Sequence, residues 1–269
     1  MEFFDAANSV DTSIKVITFN LRYDSESDPQ IWDERKSLVY KTIREMDPDL
    51  IGLQEVQVHM LSDLIAEFEE NYFIYGESRD ESENPESTPV MARKSRFKLL
   101  EKNSFMLSET PDLLYSKGWD SALARIASYF ILQDLKDEQE LVFLNTHFDY
   151  LGKVARLESS KQCAEFMQAY AYQGIPVILT ADFNLFPESE LLAPLMQNPL
   201  LDNSYDKLST AYKMAALTYH AYKGGSKGSP IDHIFVNRPW RIAEVMINRY
   251  TENGFFPSDH YPVECKVYK

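Results

Sequence analysis

Short apolar runs that are typical of buried strands end repeatedly in this chain at an amide, a carboxylate or an imidazole. The polar residues at these ends, or in the adjoining loops, are Asn20, Glu55, His147, Asp182 with Asn184, Asp232, and Asp259 with His260. A turn or simple solvation explains one such residue, but not a recurrence at six separate places. A fold that brings strand ends together would collect these side chains at one site.

The first part of the chain alternates strands and helices. A β-branched run at residues 15–19 predicts a buried strand, and apolar residues at helical spacing predict a helix over 33–46. A second buried strand, 50–53, follows a helix-breaking Asp-Pro-Asp, and a second helix is predicted over about 58–68. This β-α-β-α order is typical of a sheet that helices cover.

The middle of the chain contains three β-rich segments separated by polar turns. They lie at residues 97–106, 123–133 and 140–147 and predict an antiparallel meander. A long helix over 152–172 then leads into an apolar strand at 177–180. Asp182 and Asn184 therefore come directly after a buried strand.

Polar segments interrupt this pattern at two places. Residues 79–89 are acidic and proline-bearing and predict an exposed loop, whereas residues 223–230 are glycine-rich. Further strands are predicted at 231–236 and 261–267. The chain has no internal repeat and no clear linker, so we expect one domain from residue 14 to residue 269, preceded by an N-terminal extension, residues 1–13.

Composition limits the location and the partners. The 269 residues include 42 acidic and 27 basic side chains, and the net charge of -15 repels polyanions such as nucleic acid. A nuclease is still compatible, because carboxylates that attract Mg²⁺ contribute to the same negative charge. The sequence shows no membrane span, no secretory signal pattern and no obligatory protein partner, so a cytoplasmic location is expected. Cys163 and Cys265 have the spacing of neither a metal site nor a disulfide framework.

Six short segments carry a family resemblance: ITFNLR, GLQEV, NTHFD, ADFN, PIDHI and PSDHYPV. They occur from residue 14 to the end of the chain in the order found across the endonuclease/exonuclease/phosphatase superfamily, which the chain therefore resembles. That superfamily includes apurinic-site endonucleases, pancreatic-type deoxyribonucleases and bacterial sphingomyelinases. The segments LSETP (107–111) and SKGWDSALARIAS (116–128) are further similar to a small bacterial branch.

The resemblance implies an α/β (α+β) fold. We expect a four-layer α/β/β/α sandwich, in which two mixed β-sheets pack face to face and helices flank both outer sides. The site would lie at one edge, where the strand ends converge. The implied reaction is hydrolysis of a phosphate ester by in-line attack of a metal-assisted water, without a covalent intermediate.

The resemblance also assigns metal ligands. Glu55 would be the principal ligand, with Asn20 beside it, and Asp259 would complete the acidic cluster on the metal side. Mg²⁺, or Mn²⁺, is the expected cofactor, because Mg²⁺ takes one or two carboxylates and keeps several waters.

The remaining strand-end residues receive catalytic roles from the same resemblance. Asp182 would orient or deprotonate the attacking water, and Asn184 would position the water or the phosphate. His260 would donate to the scissile phosphate, with its ring oriented by Asp232. The position of His147 implies a donor or leaving-group acid near the phosphate.

Two arginines bear on the substrate. The planar fork of Arg125 is a candidate clamp for phosphate, although a salt bridge to one of the many carboxylates explains this residue equally well. Arg22 stands where apurinic-site enzymes carry an acidic residue, so the chain agrees better with deoxyribonuclease-like and bacterial-branch sequences.

The expected substrate is a phosphate ester, with nucleic acid among the candidates. A nuclease or small phosphodiesterase is the first prediction. An inositol- or sugar-phosphate phosphatase is the alternative, and the acidic net charge favours such compact substrates. A catalytically silent binding module is the hypothesis of a different class. The full set of catalytic-type residues argues against it, because a silent relative is expected to have lost some of them.

Overall fold

Two large mixed β-sheets pack face to face in the computed structural model, which describes residues 12–206 and 208–268. With strands numbered along the chain, the first sheet contains β1 (Ile14–Asn20), β2 (Leu50–Gln54), β4 (Tyr72–Tyr75), β6 (Val90–Arg93), β13 (Arg241–Ile247) and β14 (Val263–Tyr268). Their order across the sheet is β13-β14-β1-β2-β6-β4.

The second sheet also has six strands. They are β7 (Phe97–Met106), β8 (Ile126–Asp134), β9 (Glu140–His147), β10 (Val177–Asp182), β11 (Leu201–Asn203) and β12 (Asp232–Asn237). Their order is β11-β12-β10-β9-β8-β7, and the predicted antiparallel meander is confirmed as β7-β8-β9. A small third sheet pairs β3 (Val56–Gln57) with β5 (Glu86–Ser87).

Helices form the outer layers. They are α1 (Trp32–Met46), α2 (Val58–Phe68), α3 (Lys153–Ala171) and the one-turn helices α4 (Ala193–Met196) and α5 (Thr210–Lys213). Side chains alternate across each strand, so one strand serves two apolar layers. In β1, Ile14 and Val16 belong to the core between the sheets, whereas Ile17 and Phe19 pack in the layer of α1 and α2. The predicted four-layer sandwich is confirmed.

Strand direction explains why the polar strand ends converge. β1 and β2 run parallel and β14 runs antiparallel to them, while β9 and β10 run parallel and β12 runs antiparallel to them. The carboxyl ends of the four parallel strands therefore lie at the same edge as the amino ends of β12 and β14. Asp182 is in register with both His147 and Asp232.

The two sheets approach closely just beneath this edge. Gly52 leaves no space for a side chain, because a Cβ there would lie 2.0 Å from the Thr180 hydroxyl oxygen and 2.6 Å from Asn145 Oδ1. The Gln54 amide donates to Asn145 Oδ1 at 2.7 Å, and Asn145 in turn donates to the Leu53 carbonyl at 2.6 Å. This buried polar network links the strands that carry the two halves of the site.

The prediction for residues 79–89 is wrong at both ends of that segment. Arg79 and Thr88 are buried, and β5 pairs with β3 instead of forming an exposed loop. The strands β4, β6 and β13 were not anticipated at all. Residues 1–11 of the predicted N-terminal extension lie outside the described residues, and the division into that extension and one domain stays a prediction.

Two smaller expectations can be compared with the described part of the chain. Cys163 and Cys265 are buried and free. Within residues 12–206 and 208–268, no helix is both long enough and apolar enough to cross a membrane.

Candidate active site

A pocket of about 510 Å³ lies at the edge where the strand ends meet. Among its lining residues are six of the predicted strand-end residues, namely Glu55, His147, Asp182, Asn184, Asp259 and His260, and the candidate phosphate clamp Arg125. Asn20 and Asp232 are fully buried and hydrogen-bond to residues that line the pocket. A larger cavity of about 750 Å³, near Lys15, Asp49 and Glu264, contains none of the predicted residues.

Asn20 joins the two carboxylates nearest the centre of the site. Its amide nitrogen donates to Glu55 Oε1 and to Asp182 Oδ2, each at 2.9 Å. Its amide oxygen accepts from the backbone nitrogen of Arg22 at 2.8 Å and keeps a second lone pair. Glu55 Oε2 accepts from the backbone nitrogen of Tyr23 at 3.0 Å. Strand β1 thus fixes the distance between Glu55 and Asp182.

His260 and Asp232 form a buried, charged pair. His260 Nδ1 lies 2.9 Å from Asp232 Oδ2, and His260 Nε2 lies 3.7 Å from Asp182 Oδ2. Burial lowers the pKa of His260, but the charge and the hydrogen bond of Asp232 outweigh it and raise the pKa to about 10. His260 is therefore an imidazolium at neutral pH and points its second nitrogen towards Asp182.

Asp182 is tuned in the opposite sense. Burial, and then the negative charge of Asp232, raise the pKa of Asp182 to about 7, while His260 opposes the rise. A carboxylate with a pKa near the working pH is well matched to accepting a proton from water. Asp182 Oδ1 also accepts from the backbone nitrogen of Asn184 at 2.9 Å, which fixes the turn after β10.

His147 is an uncharged neighbour of this centre. Burial and the positive charges of Arg125 and Arg79 hold the pKa of His147 well below its usual range. Its Nε2 accepts from the Asn184 side-chain nitrogen at 3.0 Å and lies 3.5 Å from Asp182 Oδ2. Asn184 adopts a left-handed backbone conformation, with φ of 51°, which asparagine tolerates better than most residues.

The donor set suits a hard divalent cation. One ligand atom each from Glu55, His147 and Asp182 lie within 4.8 Å of one another, and so do atoms from Asp182, Asp232 and His260. The second group is already committed to the imidazolium pair, since a protonated His260 offers no lone pair. In the first group, His147 Nε2 already accepts from Asn184, but Glu55 and Asp182 offer carboxylate oxygens. With the free lone pair of the Asn20 amide oxygen, these are ligands of the kind that Mg²⁺ and Mn²⁺ prefer.

Asp259 lies near this group but faces an internal cation. Arg22 Nε is 3.9 Å from Asp259 Oδ2, and Arg22 Nη1 is 4.0 Å from Glu55 Oε2. Arg22 also donates from Nε to Asp28 at 2.7 Å, which holds the guanidinium in place. Burial raises the pKa of Asp259, against the charges of His260 and Arg22. The Arg22 guanidinium thus lies within 4.0 Å of both predicted metal-side carboxylates.

Arg125 combines the two roles considered from the sequence, a position at the candidate phosphate site and a salt bridge to a carboxylate. It lines the pocket, and its Nε lies 3.4 Å from Asp149 Oδ1. Two further lining residues, Arg79 and Glu86, were missed, because they lie in the segment that was predicted to be an exposed loop. The only signal for them is a local one: an arginine and a glutamate of opposite charge, seven residues apart.

Comparison with known proteins places this geometry in context. A model of the Endonuclease/Exonuclease/phosphatase family matches residues 17–260. An endonuclease/exonuclease/phosphatase family protein from Bacteroides thetaiotaomicron has a similar structure, with a TM-score of 0.84 and 30% identity over 95% of this chain and 97% of that one. A mannosyl-6-phosphatase from the same organism gives a TM-score of 0.83 and 29% identity over 95% of this chain and 100% of that one.

Curated relatives are more distant. The 2',5'-phosphodiesterase 12 of Homo sapiens is 24% identical over 87% of this chain and 46% of its own length. The chain spans about half the length of the curated relatives it matches.

Proposed function

Because the chain belongs to the endonuclease/exonuclease/phosphatase family, whose members are metal-dependent phosphoesterases, we propose that it hydrolyses a compact phosphate ester with a divalent cation and water. One observation carries the proposal. Glu55, His147 and Asp182 bring ligand atoms within 4.8 Å of one another in a pocket that also contains Asn184 and His260. Metal ligands, a base and phosphate donors are the parts that this hydrolysis requires.

Glu55, Asn20 and Asp259 would hold the cation, for which we propose Mg²⁺ or Mn²⁺. When bound, it would polarise a phosphoryl oxygen and offset negative charge. The residues around it then supply the rest of the chemistry. Asp182 accepts the proton of the attacking water, and the position of Asn184 beside it orients that water or the phosphate.

Charge that develops on the phosphate is stabilised by His260. The Asp232 carboxylate keeps this ring protonated and oriented. His260 is therefore ready to donate a hydrogen bond to the phosphate before the reaction begins. His147 is neutral, so it donates through one N–H at most while its Nε2 accepts from Asn184. A leaving-group acid role for His147 would therefore use a neutral imidazole.

Two substrate classes are supported by different observations. The pocket of about 510 Å³ has the size of a small-molecule site, and the net charge of -15 disfavours a long polyanion. Similarity to a mannosyl-6-phosphatase supports a sugar-phosphate or related phosphomonoester. Similarity to a 2',5'-phosphodiesterase supports the second candidate, a small phosphodiester or nucleic acid.

The test is hydrolysis of a panel with Mg²⁺, with Mn²⁺ and with EDTA. The panel contains p-nitrophenyl phosphate, bis-p-nitrophenyl phosphate, sugar and inositol phosphates, RNA and DNA. Turnover should require the metal and should fall by at least roughly 10²-fold in Asp182→Asn, which keeps the shape of the side chain but removes the base. Asp202→Asn, on β11 and outside the pocket, is the control. No turnover of any substrate by folded, metal-loaded protein would instead favour a binding module.

A further inference from the structure

Two buried arginines line one end of the pocket, next to Glu55 and His147. Arg79 is 8% exposed and Arg125 is 4% exposed. A cavity of about 10 Å³ adjoins them, which is about the space of one water molecule or one phosphate oxygen. The remaining residues around this cavity are Glu86 and the buried Ser87, Thr88 and Ile126. We call this enclosed region the arginine end.

The arginines have hydrogen-bonding capacity that the protein does not use. Arg79 donates from its two terminal nitrogens to Glu86, at 2.7 and 2.8 Å, while its Nε has only an ion-pair contact of 3.5 Å to Asp80. Arg125 makes one long contact from Nε to Asp149, and its buried Nη1 has no hydrogen-bond partner among the residues that the structure describes. Buried charged donors without acceptors are costly, so they call for an acceptor that enters the pocket.

The partner of Arg125 is already engaged elsewhere. Asp149 accepts from the backbone nitrogens of Ala122, Leu151 and Gly152, at 3.1, 3.1 and 2.7 Å. Its contact with Arg125, at 3.4 Å, is longer than any of these three. Asp149 therefore holds Arg125 in place without using up the guanidinium fork.

We propose that the arginine end binds the oxygens of a terminal phosphate, so that this chain prefers phosphomonoesters to phosphodiesters. The inference rests on the proposed function, since it names the substrate class of the same site. A phosphomonoester near neutral pH carries about two negative charges and three terminal oxygens. Planar guanidinium groups match such oxygens in pairs, which a single ammonium group cannot do.

Enclosure gives the second reason. A phosphodiester carries an organic group on both sides of its phosphorus, but the arginine end is closed by buried residues on β5 and β8. The leaving group therefore extends towards the open part of the pocket, whose lining includes the half-exposed Tyr150 and Tyr219.

The experiment compares kcat/KM for p-nitrophenyl phosphate and bis-p-nitrophenyl phosphate at one Mg²⁺ concentration. Wild type should favour the monoester. Arg79→Met and Arg125→Lys should each lower kcat/KM for the monoester roughly tenfold or more, mainly through KM, because each loses hydrogen bonds to a charged oxygen. Hydrolysis of the diester should fall less, so the ratio of the two kcat/KM values should shift towards the diester in each variant. Arg79→Lys, which keeps the charge and loses the unused Nε donor, should fall between wild type and Arg79→Met.

Arg96→Met is the matched control. Arg96 is equally buried and donates to both oxygens of Asp134, at 2.8 and 2.7 Å, but it lies outside the pocket. Calorimetric titration with inorganic phosphate gives a second readout on the metal-loaded protein. Phosphate affinity should fall roughly tenfold in Arg79→Met and stay unchanged in Arg96→Met, with circular dichroism confirming that both are folded.

The outcomes separate the inference from the function it rests on. If wild type hydrolyses no member of the substrate panel with metal, the proposed function fails, and the inference fails with it. If wild type prefers the diester, only the inference is overturned. The same holds if kcat/KM falls equally for both esters in the arginine variants. An unchanged phosphate affinity in folded Arg79→Met would overturn it as well.

Discussion

Replacing Gly52 with alanine tests how closely the two sheets must approach beneath the site. The new Cβ would lie 2.0 Å from Thr180 Oγ1 and 2.6 Å from Asn145 Oδ1, so both side chains would have to move by roughly 1 Å to restore van der Waals contact. Neither can move freely. Both are fully buried, and Asn145 Oδ1 accepts from Gln54 at 2.7 Å and from Thr180 at 3.0 Å.

The magnitude follows from these contacts. Overpacking costs about 1–3 kcal/mol, and a buried polar group that loses its partner costs about as much again. The gain from removing a glycine from a strand is only about 0.5–1 kcal/mol. We therefore expect Gly52→Ala to lower the free energy of unfolding by roughly 1–5 kcal/mol. Since Glu55 directly follows β2 and Asp182 is the last residue of β10, a displacement of about 1 Å should also lower kcat by up to roughly 10²-fold.

Urea unfolding at fixed pH measures the first effect, and kcat under conditions where all variants are folded measures the second. Thr180→Ala in the Gly52→Ala background removes the closer of the two contacts. It should recover part of the lost stability, so the two substitutions should be non-additive. A free energy of unfolding for Gly52→Ala within about 0.5 kcal/mol of wild type would refute the reasoning.

Three further predictions concern charge. Asp182 must be deprotonated to act as the base, and its pKa is raised to about 7, so kcat/KM should increase with pH up to about 7; a pH profile already flat at pH 5 would contradict this. Burial lowers the pKa of His260, but Asp232 raises it to about 10. The contribution of the His260–Asp232 pair to the stability of the folded state is therefore complete below about pH 6.5 and is lost as pH rises through 10. The difference in Tm between wild type and His260→Gln should therefore shrink across that window, whereas a constant difference would argue against the pair. Asp134→Ala leaves the buried Arg96 unpaired, so unfolding in urea should show a loss of about 3–5 kcal/mol, while kcat of the folded protein stays unchanged.

The strand-end residues could be predicted because a buried strand is visible in the sequence as a short apolar run, and the polar residue that ends the run is easy to locate. Asp182 follows the apolar run of β10, and His147 closes β9, so their order along the chain was enough to group them. The pairing of His260 with Asp232 is predicted by the family resemblance and not by the strand pattern. It depends on β12 and β14 running antiparallel to their neighbours, which brings residues from two sheets to the same edge.

Arg125 was a candidate from the sequence, but Arg79 and Glu86 at the arginine end could not be predicted in the same way. The segment around Arg79 and Glu86 has the composition of a solvated loop, and its burial comes from the pairing of β5 with β3. The position of a positive charge near the predicted metal ligands also could not be predicted. In the sequence, Arg22 is one more polar residue after a strand. In the structure, its guanidinium lies within 4.0 Å of both Glu55 and Asp259. Sequence position does not specify which of several nearby carboxylates a flexible side chain will approach.

The pairing of β1 with β14 has a consequence for how the molecule folds. This pair brings Ile14 into register with Val267, so the centre of the first sheet is completed by strands from opposite ends of the described chain. Contacts over such a sequence separation form slowly, because a very long loop must be closed first. Until β14 docks, one edge of β1 stays open to pairing with other chains. Asp259 and His260 lie four and three residues before β14, so docking of this strand also brings the final residues of the site into place.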